Sequence, residues 1–391
     1  MKWEVKTLEE ITDLITCGVA KRPEYVDEGI PFLSAKNVKQ GKIIWEDYKF
    51  ISQEIHEQLT KNNKPQKGDI LYTRVGSFGE AAIIEEEYDF SIFVSLTLIK
   101  PKPIVLNSFL KYYLNSDKVK NFAKNNVSGS GVGNLNVGTV RKFLIPVPPI
   151  AEQKQIVEIL DQSFAGIERA EAIARQNLTN ARELFDSYLN KIFQNPPEDW
   201  TEKSLGEVCK FQGGSQPPKS EFVSSVREGY IRLIQIRDYK TDEKQAFIPI
   251  EKAKRFCKKD DIMIGRYGPP LFQILRGLDG AYNVALMKAI PNEKIISRDY
   301  LFYFLKNRSI LRYIENSSSR TAGQTGFNKA TIEPYPIVFP PLEQQPKIVQ
   351  RLTNILENSQ KLEEIYQRKI KALGELKQSI LQKAFSGQLT Q

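Results

Sequence analysis

Asn195-Pro196-Pro197-Glu198 is the nearest thing to a catalytic signature in this sequence. Asn or Asp followed by Pro-Pro and an aromatic residue marks adenine methyl transfer, where the aromatic ring stacks on an extruded base. Glu198 cannot stack, and the tetrapeptide follows a helical pattern rather than a strand, so it reads as a linker. His56 is the only histidine and sits in the polar run SQEIHEQL (52–59). A Ser-His or Cys-His couple is not supported, and His56 is expected at the surface. The glycine-rich run SGSGVG (128–133) lacks the strand–loop–helix setting of a dinucleotide fingerprint. No GxxxxGK(S/T) run exists, so any ATP-driven motor must be another chain. Cys17, Cys209 and Cys257 are far apart and fit neither zinc nor disulfide spacing, as in a reducing compartment. No pair of carboxylates stands out, and no catalytic or metal site is expected.

The bulk composition points to binding instead. A chain of 391 residues holds about two or three domains. Its 41% hydrophobic and 26% charged residues are those of an ordinary globular protein. No apolar run reaches the ~20 residues of a membrane span. The N-terminal stretch MKWEVKTLEEITD lacks the apolar centre of a signal peptide, and a cytoplasmic location is expected. The formal charge of +9 points to an anionic partner such as duplex DNA, held through phosphates. The same charge would also suit a merely basic surface, so charge alone assigns no partner.

The elements that must carry any binding residues are written twice. PPIAEQKQIVEIL (148–160) and PPLEQQPKIVQRL (340–352) lie 192 residues apart. The same shift matches GDILYTRVG (68–76) to DDIMIGRYG (260–268), pairing Asp69 with Asp261, Arg74 with Arg266 and Gly76 with Gly268. It pairs Gly131 with Gly323 and Asn136 with Asn328, and near each helix end Leu189 with Leu381 and Phe193 with Phe385. Trp3 and Leu8 match Trp200 and Leu205 at a shift of 197. One shift is expected to hold from about residue 68 to the C-terminus. The period exceeds the roughly 20–50 residues of solenoids, so the repeating unit is a domain.

Each half reads as a mixed α+β domain followed by a long helix. GKIIWEDYKFI, DILYTRV, AAIIEE and FSIFVSLTLIK look like strands. A single helix is expected over 108–126, and its counterpart over 297–316. From Ala151 to Phe193 there is no proline, and the apolar residues fall in a heptad. Leu160, Ile167, Ala174, Ala181 and Tyr188 take one seam position. Phe164, Leu178, Phe185 and Ile192 take the other, with Glu171 as a polar break. In the second copy Leu352, Tyr366, Leu373 and Ile380 are joined by Ile355, Leu362 and Leu376, with Ser359 and Lys369 as breaks. At 1.5 Å per residue such a helix extends about 65 Å, further than one small domain, so each is expected to pair with the other. The expected architecture is two domains related by a pseudo-two-fold axis across an antiparallel coiled coil.

In combination these motifs resemble the specificity subunits of type I restriction-modification systems. The resemblance covers the whole length. It rests on Trp3, Leu8, Gly131 and IPVPPIAEQKQIV (145–157), then Trp200, Leu205, Gly323 and PIVFPPLEQQPKIV (336–349). Pro346, in the first turn of the second helix, departs from the pattern but is tolerated there. The resemblance implies two target-recognition domains, 1–147 and 195–339, separated by spacer helices 148–194 and 340–391. It implies a chain without catalytic activity or cofactor of its own that binds a bipartite, asymmetric double-stranded DNA target. Two methyltransferase (M) subunits would dock on the helices, and restriction/translocase (R) subunits would join them. S-adenosylmethionine, ATP and magnesium would belong to those partners. A coiled-coil scaffold bridging proteins without DNA specificity is the alternative.

Base edges are best read by Arg, Lys, Asn and Gln on loops or helix ends. Lys36, Asn37, Arg74 and Ser77, with Asn134 and Asn136 of the glycine-rich loop, are the candidates of the first half. Gln235, Arg237, Arg266, Tyr267, Arg320, Gln324 and Asn328 are those of the second. Residues kept in both copies, such as Arg74 and Arg266, are expected to hold structure or phosphate, and unlike residues to read bases.

Overall fold

The structure, a computed structural model, describes residues 3–76, 78–127, 133–268, 270–318 and 326–389. The chain forms two compact units, Met1–Ala174 with Arg368–Gln391, and Arg175–Gln367. Two long helices, Ile150–Gln194 and Gln345–Phe385, each contribute one part to each unit. No helix among the described residues is long and apolar enough to cross a membrane.

The first unit is built on an antiparallel sheet in the order Thr12–Cys17, Leu96–Pro101, Ile70–Thr73, Ala81–Ile83. Its central strands read as continuous apolar runs because both faces are covered. Ile70, Tyr72 and Ile99 face one core, with Phe109, Leu110 and Tyr113 of helix Asn107–Leu114. Leu71 and Leu98 alternate to the other face, against Leu33, Val38, Phe90 and Ile92. The period of two thus distributes one strand between two cores. Each Ile or Leu so buried contributes about 1.5–3 kcal/mol. The second layer is the sheet Lys49–Ile51, Ile30–Leu33, Ser91–Ile92, in which Leu33 pairs parallel with Ile92.

The second unit repeats this plan. Its main sheet runs Cys209–Gly213, Leu286–Pro291, Ile262–Gly265, Gln273–Leu275. Ile262, Ile264 and Ala289 face the helices, while Met263 and Leu286 face Ile234 and Tyr282. Each unit also closes its start on its end: Glu4–Thr7 pairs with Leu144–Val147, and Thr201–Ser204 with Pro336–Phe339. The offset between copies is not constant, contrary to expectation. Ile70–Thr73 corresponds to Ile262–Gly265, a shift of 192, but Leu96–Pro101 corresponds to Leu286–Pro291, a shift of 190.

Two sequence expectations about single elements are corrected. The stretch 108–126 is two helices, Asn107–Leu114 and Asp117–Asn125. At the break the Asn115 amide donates to Ala81 O (2.8 Å) and accepts from Ala81 N (3.0 Å), so it bonds the sheet edge instead. The second copy breaks between Leu305 and Arg308, where Asn307 Oδ1 accepts from Ser309 N. FSIFVSLTLIK likewise splits into Ser91–Ile92 and Leu96–Pro101, which belong to different sheets.

The two long helices pack together within each unit. In the first unit the Lys377 ammonium lies 4.7 Å from the centre of the Phe164 ring, and Leu381 and Ala384 share a core with Ile156 and Leu160. In the second, Arg182 pairs with Glu363 at 3.2 Å, and Phe185 and Leu189 share a core with Leu352. The partners rise in number on one helix as they fall on the other, so the pairing is antiparallel. Phe385 packs on Phe109 and Tyr113, and its counterpart Phe193 on Tyr300 and Phe304.

Most of the expected seam residues are at least partly buried. Leu160, Phe164, Ile167, Ala174, Phe185 and Leu352 are buried, and Leu178, Tyr188, Ile192, Leu362, Tyr366, Leu373 and Ile380 are partly buried. Leu376 is the exception, at 47% exposed. The buried face here runs through Leu373, Ile380, Leu381 and Ala384, which follow the straight-helix spacing that packs on the globular part. The second helix starts at Gln345, three residues later than the first by the 192 offset. Pro346 has no N–H to close a helical bond on Leu342, so the preceding residues form a turn.

Candidate nucleic-acid interface

In each unit several loops converge at one end of the main sheet. Thr97 is opposite Cys17, and Leu96 opposite Thr73, so the chain leaves Cys17 and Thr73 and enters Leu96 at the same edge. Leu33 ends beside Ile92 at that edge. The segment after the glycine-rich run joins them through the bridge Val75–Asn134. The second unit brings together the ends of Gly213, Ile234 and Gly265, the start of Leu286, and the bridge Tyr267–Gly326. Two glycines permit the crowding. A Cβ on Gly18 would lie 2.0 Å from Ile92 O, and one on Gly214 would lie 1.9 Å from Asn283 O.

Arg74 lies beneath this cluster rather than on it. It is 8% exposed, and its guanidinium donates to Leu135 O (2.9 Å), Val94 O (2.7 Å) and Asn134 Oδ1 (3.0 Å). Arg266 repeats the arrangement, donating to Phe327 O at 3.0 Å and Val284 O at 3.4 Å. Asn136 and Asn328 cap the short helices Val137–Arg141 and Lys329–Ile332, accepting from Gly138 N and Thr331 N. Residues that match between the copies thus make matching contacts within the protein.

Asn37 is removed from the candidates by burial. It is 1% exposed; its amide accepts from Ser34 N and donates to Ile44 O and Glu46 O, leaving nothing to offer a base. Its counterpart is Asp238, whose carboxylate accepts from Gln235 N and whose acidity burial weakens. Lys36 and Arg237 therefore occupy the same place, both exposed, on the one-turn helices Ala35–Asn37 and Ile236–Tyr239. Lys36 pairs with Asp47, and Arg237 donates to Lys244 O. Asn134 and Tyr267 are exposed at the bridges, with Arg266 stacked 5.2 Å from the Tyr267 ring centre. Gln235 is half-buried. Ser77, Arg320 and Gln324, with Gly131 and Gly323, lie outside the described residues.

Sequence reading missed Lys21 and Arg22, which are exposed on the loop that leaves Gly18. The tight Gly18 approach starts that loop at the cluster, a contact visible only in three dimensions. It also misplaced His56, which is 2% exposed. Ser52 starts the helix Gln53–Thr60, and the face bearing His56 and Thr60 is turned inward, where His56 Nδ1 meets Ser91 Oγ at 2.9 Å. Burial holds its pKa below the usual histidine value. Among the described residues no cluster of His, Cys, Asp and Glu could hold a metal.

These features accord with comparisons to known proteins. The sequence model of the type I restriction modification DNA specificity domain matches twice, over residues 1–176 and 197–371. The EcoKI specificity subunit of Escherichia coli K12 is 22% identical over 99% of this chain and 89% of its own length. The putative MjaX specificity subunit of Methanocaldococcus jannaschii is 25% identical, over 90% and 86%. A solved chain from a study of complex assembly and conformational transition in a type I R-M system superposes with a TM-score of 0.79. It is 20% identical, covering 99% of this chain and 98% of that one. The HsdS subunit of Thermoanaerobacter tengcongensis gives 0.61 at 20% identity, covering 99% and 97%. With two copies of the domain on two α+β units that share a pair of long helices, this chain belongs to the DNA specificity family of type I restriction-modification systems.

Proposed function

We propose that each loop cluster reads one half of a bipartite, asymmetric duplex target, with the paired helices setting the gap. The observation that carries this reading is one scaffold presenting unlike residues. Arg74 and Arg266 make equivalent bonds, while around them half-buried Val75 is replaced by exposed Tyr267, and exposed Lys36 by exposed Arg237. A constant frame with variable tips is what two unlike half-sites require. Lys21, Arg22, Lys36, Asn134, Gln235, Arg237 and Tyr267 are the residues proposed to face DNA, through phosphates and base edges.

The chain itself is proposed to be non-catalytic. Two methyltransferase (M) subunits docked on the long helices would supply S-adenosylmethionine chemistry, and restriction/translocase (R) subunits would supply ATP-driven movement with magnesium. Exchange of residues 1–147 for the corresponding domain of another specificity subunit tests the reading. Sequencing of methylated adenines should show one half of the target changed and the other, with the gap, retained. A change in both halves, or in neither, would refute modular reading.

A further inference from the structure

Arg74 is a buried cation whose three acceptors are all neutral oxygens. They belong to two loops. Val94 lies in the turn that enters strand Leu96–Pro101, and Asn134 and Leu135 follow the glycine-rich run. Backbone bonds run alongside: Arg74 N donates to Ser95 O at 2.9 Å, and Leu135 N to Arg74 O at 2.8 Å. One residue at the end of strand Ile70–Thr73 therefore ties both loops to the sheet. Arg266 does the same in the second unit, with its N–H on Ala285 O at 2.9 Å and its guanidinium on Val284 and Phe327.

The fork is what makes this possible. A guanidinium presents five N–H groups in a fixed plane and reaches acceptors on separate segments at once. A lysine offers three donors on one nitrogen and cannot span the same acceptors. Among the groups that the two guanidiniums hold, the exposed residues differ: Asn134 in the first unit and Val284 in the second.

We propose that Arg74 and Arg266 are positioning residues for sequence reading, each holding the loops of its own unit in register and so governing discrimination at one half-site only. The inference rests on the reading of the loop clusters as DNA-facing and adds to it how the loops are fixed. A residue serving stability alone would lower the fraction of working complex, and both half-sites would lose equally. A positioning residue leaves the other unit untouched.

The test uses the full chain assembled with its methyltransferase partners. Duplexes carrying single base changes in either half-site are compared for wild type, R74K and R266K. R74K should lower the preference for the correct bases by about 10-fold or more in the half-site read by the first unit, since small misplacements in reading geometry are costly. The other half-site should be unaffected, and R266K should give the mirror result. Equal losses in both halves, or unchanged discrimination in both, overturn the proposal. Hydrogen exchange without DNA supplies a second readout. The Leu135 amide should exchange about 10-fold faster in R74K, while amides of Ile70–Thr73 keep their protection. Unchanged Leu135 exchange would also overturn it. Failure of the DNA reading is separately visible, because the wild-type complex would then protect no two-patch target.

Discussion

Gln153 and Gln345 hold the same position in the two copies and make the same three bonds. Both side chains are wholly buried. Gln153 accepts from Leu106 N and donates to Ile104 O and Pro148 O. Gln345 accepts from Ser297 N and donates to Ile295 O and Pro340 O. Each amide joins the double proline, the start of a long helix and the loop before a domain helix. This explains why the glutamine after the double proline is written twice. Gln153→Leu would strand a buried N–H and two carbonyls, and about 3 kcal/mol of destabilisation is expected. Denaturant titration of the purified chain measures it; a loss below about 1 kcal/mol would show that the amide is replaceable.

The glycines divide into two kinds with opposite expectations. Gly214→Ala would drive a Cβ into the Asn283 carbonyl, and a loss of about 3 kcal/mol or more is expected. Gly166 and Gly374 lie inside the long helices, where a methyl added to either would meet nothing within 4 Å. Alanine at either should raise stability by about 0.5–1 kcal/mol. Thermal melts of the three variants decide the matter by sign.

Leu376 and Leu381 separate the exposed face of the second helix from the packed one. Leu376→Asp is expected to change stability by less than about 0.5 kcal/mol, since the side chain is 47% exposed. Leu381→Asp would bury a charge at a site 1% exposed, costing about 3 kcal/mol or more. Equal effects would mean that the packed face has been wrongly drawn.

His56 should make folding pH-dependent. Burial lowers its pKa, and Lys64 opposes its charging, while Asp89 at 3.7 Å and Glu57 favour it without reversing the shift. Between the depressed folded pKa and the ordinary value near 6.5, the unfolded chain binds more protons, so stability rises with pH there. The stabilisation is complete above pH ~6.5 and is lost as pH falls through the folded value. Because the chain has a single histidine, its imidazole resonance can be followed directly. A folded-state midpoint at or above the unfolded one would contradict this account.

Lys21 and Arg22 should contribute to DNA affinity through phosphates. Replacing both by alanine is expected to weaken binding across sequences and to reduce the slope of log K against log salt by about 1 for each phosphate no longer neutralised. Filter binding or fluorescence anisotropy of the assembled complex over a salt series reads the slope. An unchanged slope would place this loop away from the DNA backbone.

Much of the architecture is legible along the chain. The duplication, the alternating strands around Ile70–Thr73 and Ile262–Gly265 and the two unbroken helical patterns are local or periodic features. The requirement for a narrow helix partner follows from the same pattern. What a side chain faces is not local. Asn37 and Lys36 are neighbours of similar polarity, yet one is enclosed by Ile44 and Glu46 carbonyls and the other is in solvent. In sequence Arg74 is open to a structural or a DNA-contacting role until Leu135, 61 positions away, is placed against it. The helix over 108–126 reads as continuous until Ala81 claims the Asn115 amide. Composition and spacing therefore determined the elements and their repetition, while the duplicated motifs carried the family resemblance. Tertiary structure alone decided which polar groups hold the frame and which stay exposed, because burial and hydrogen bonding join residues distant in sequence.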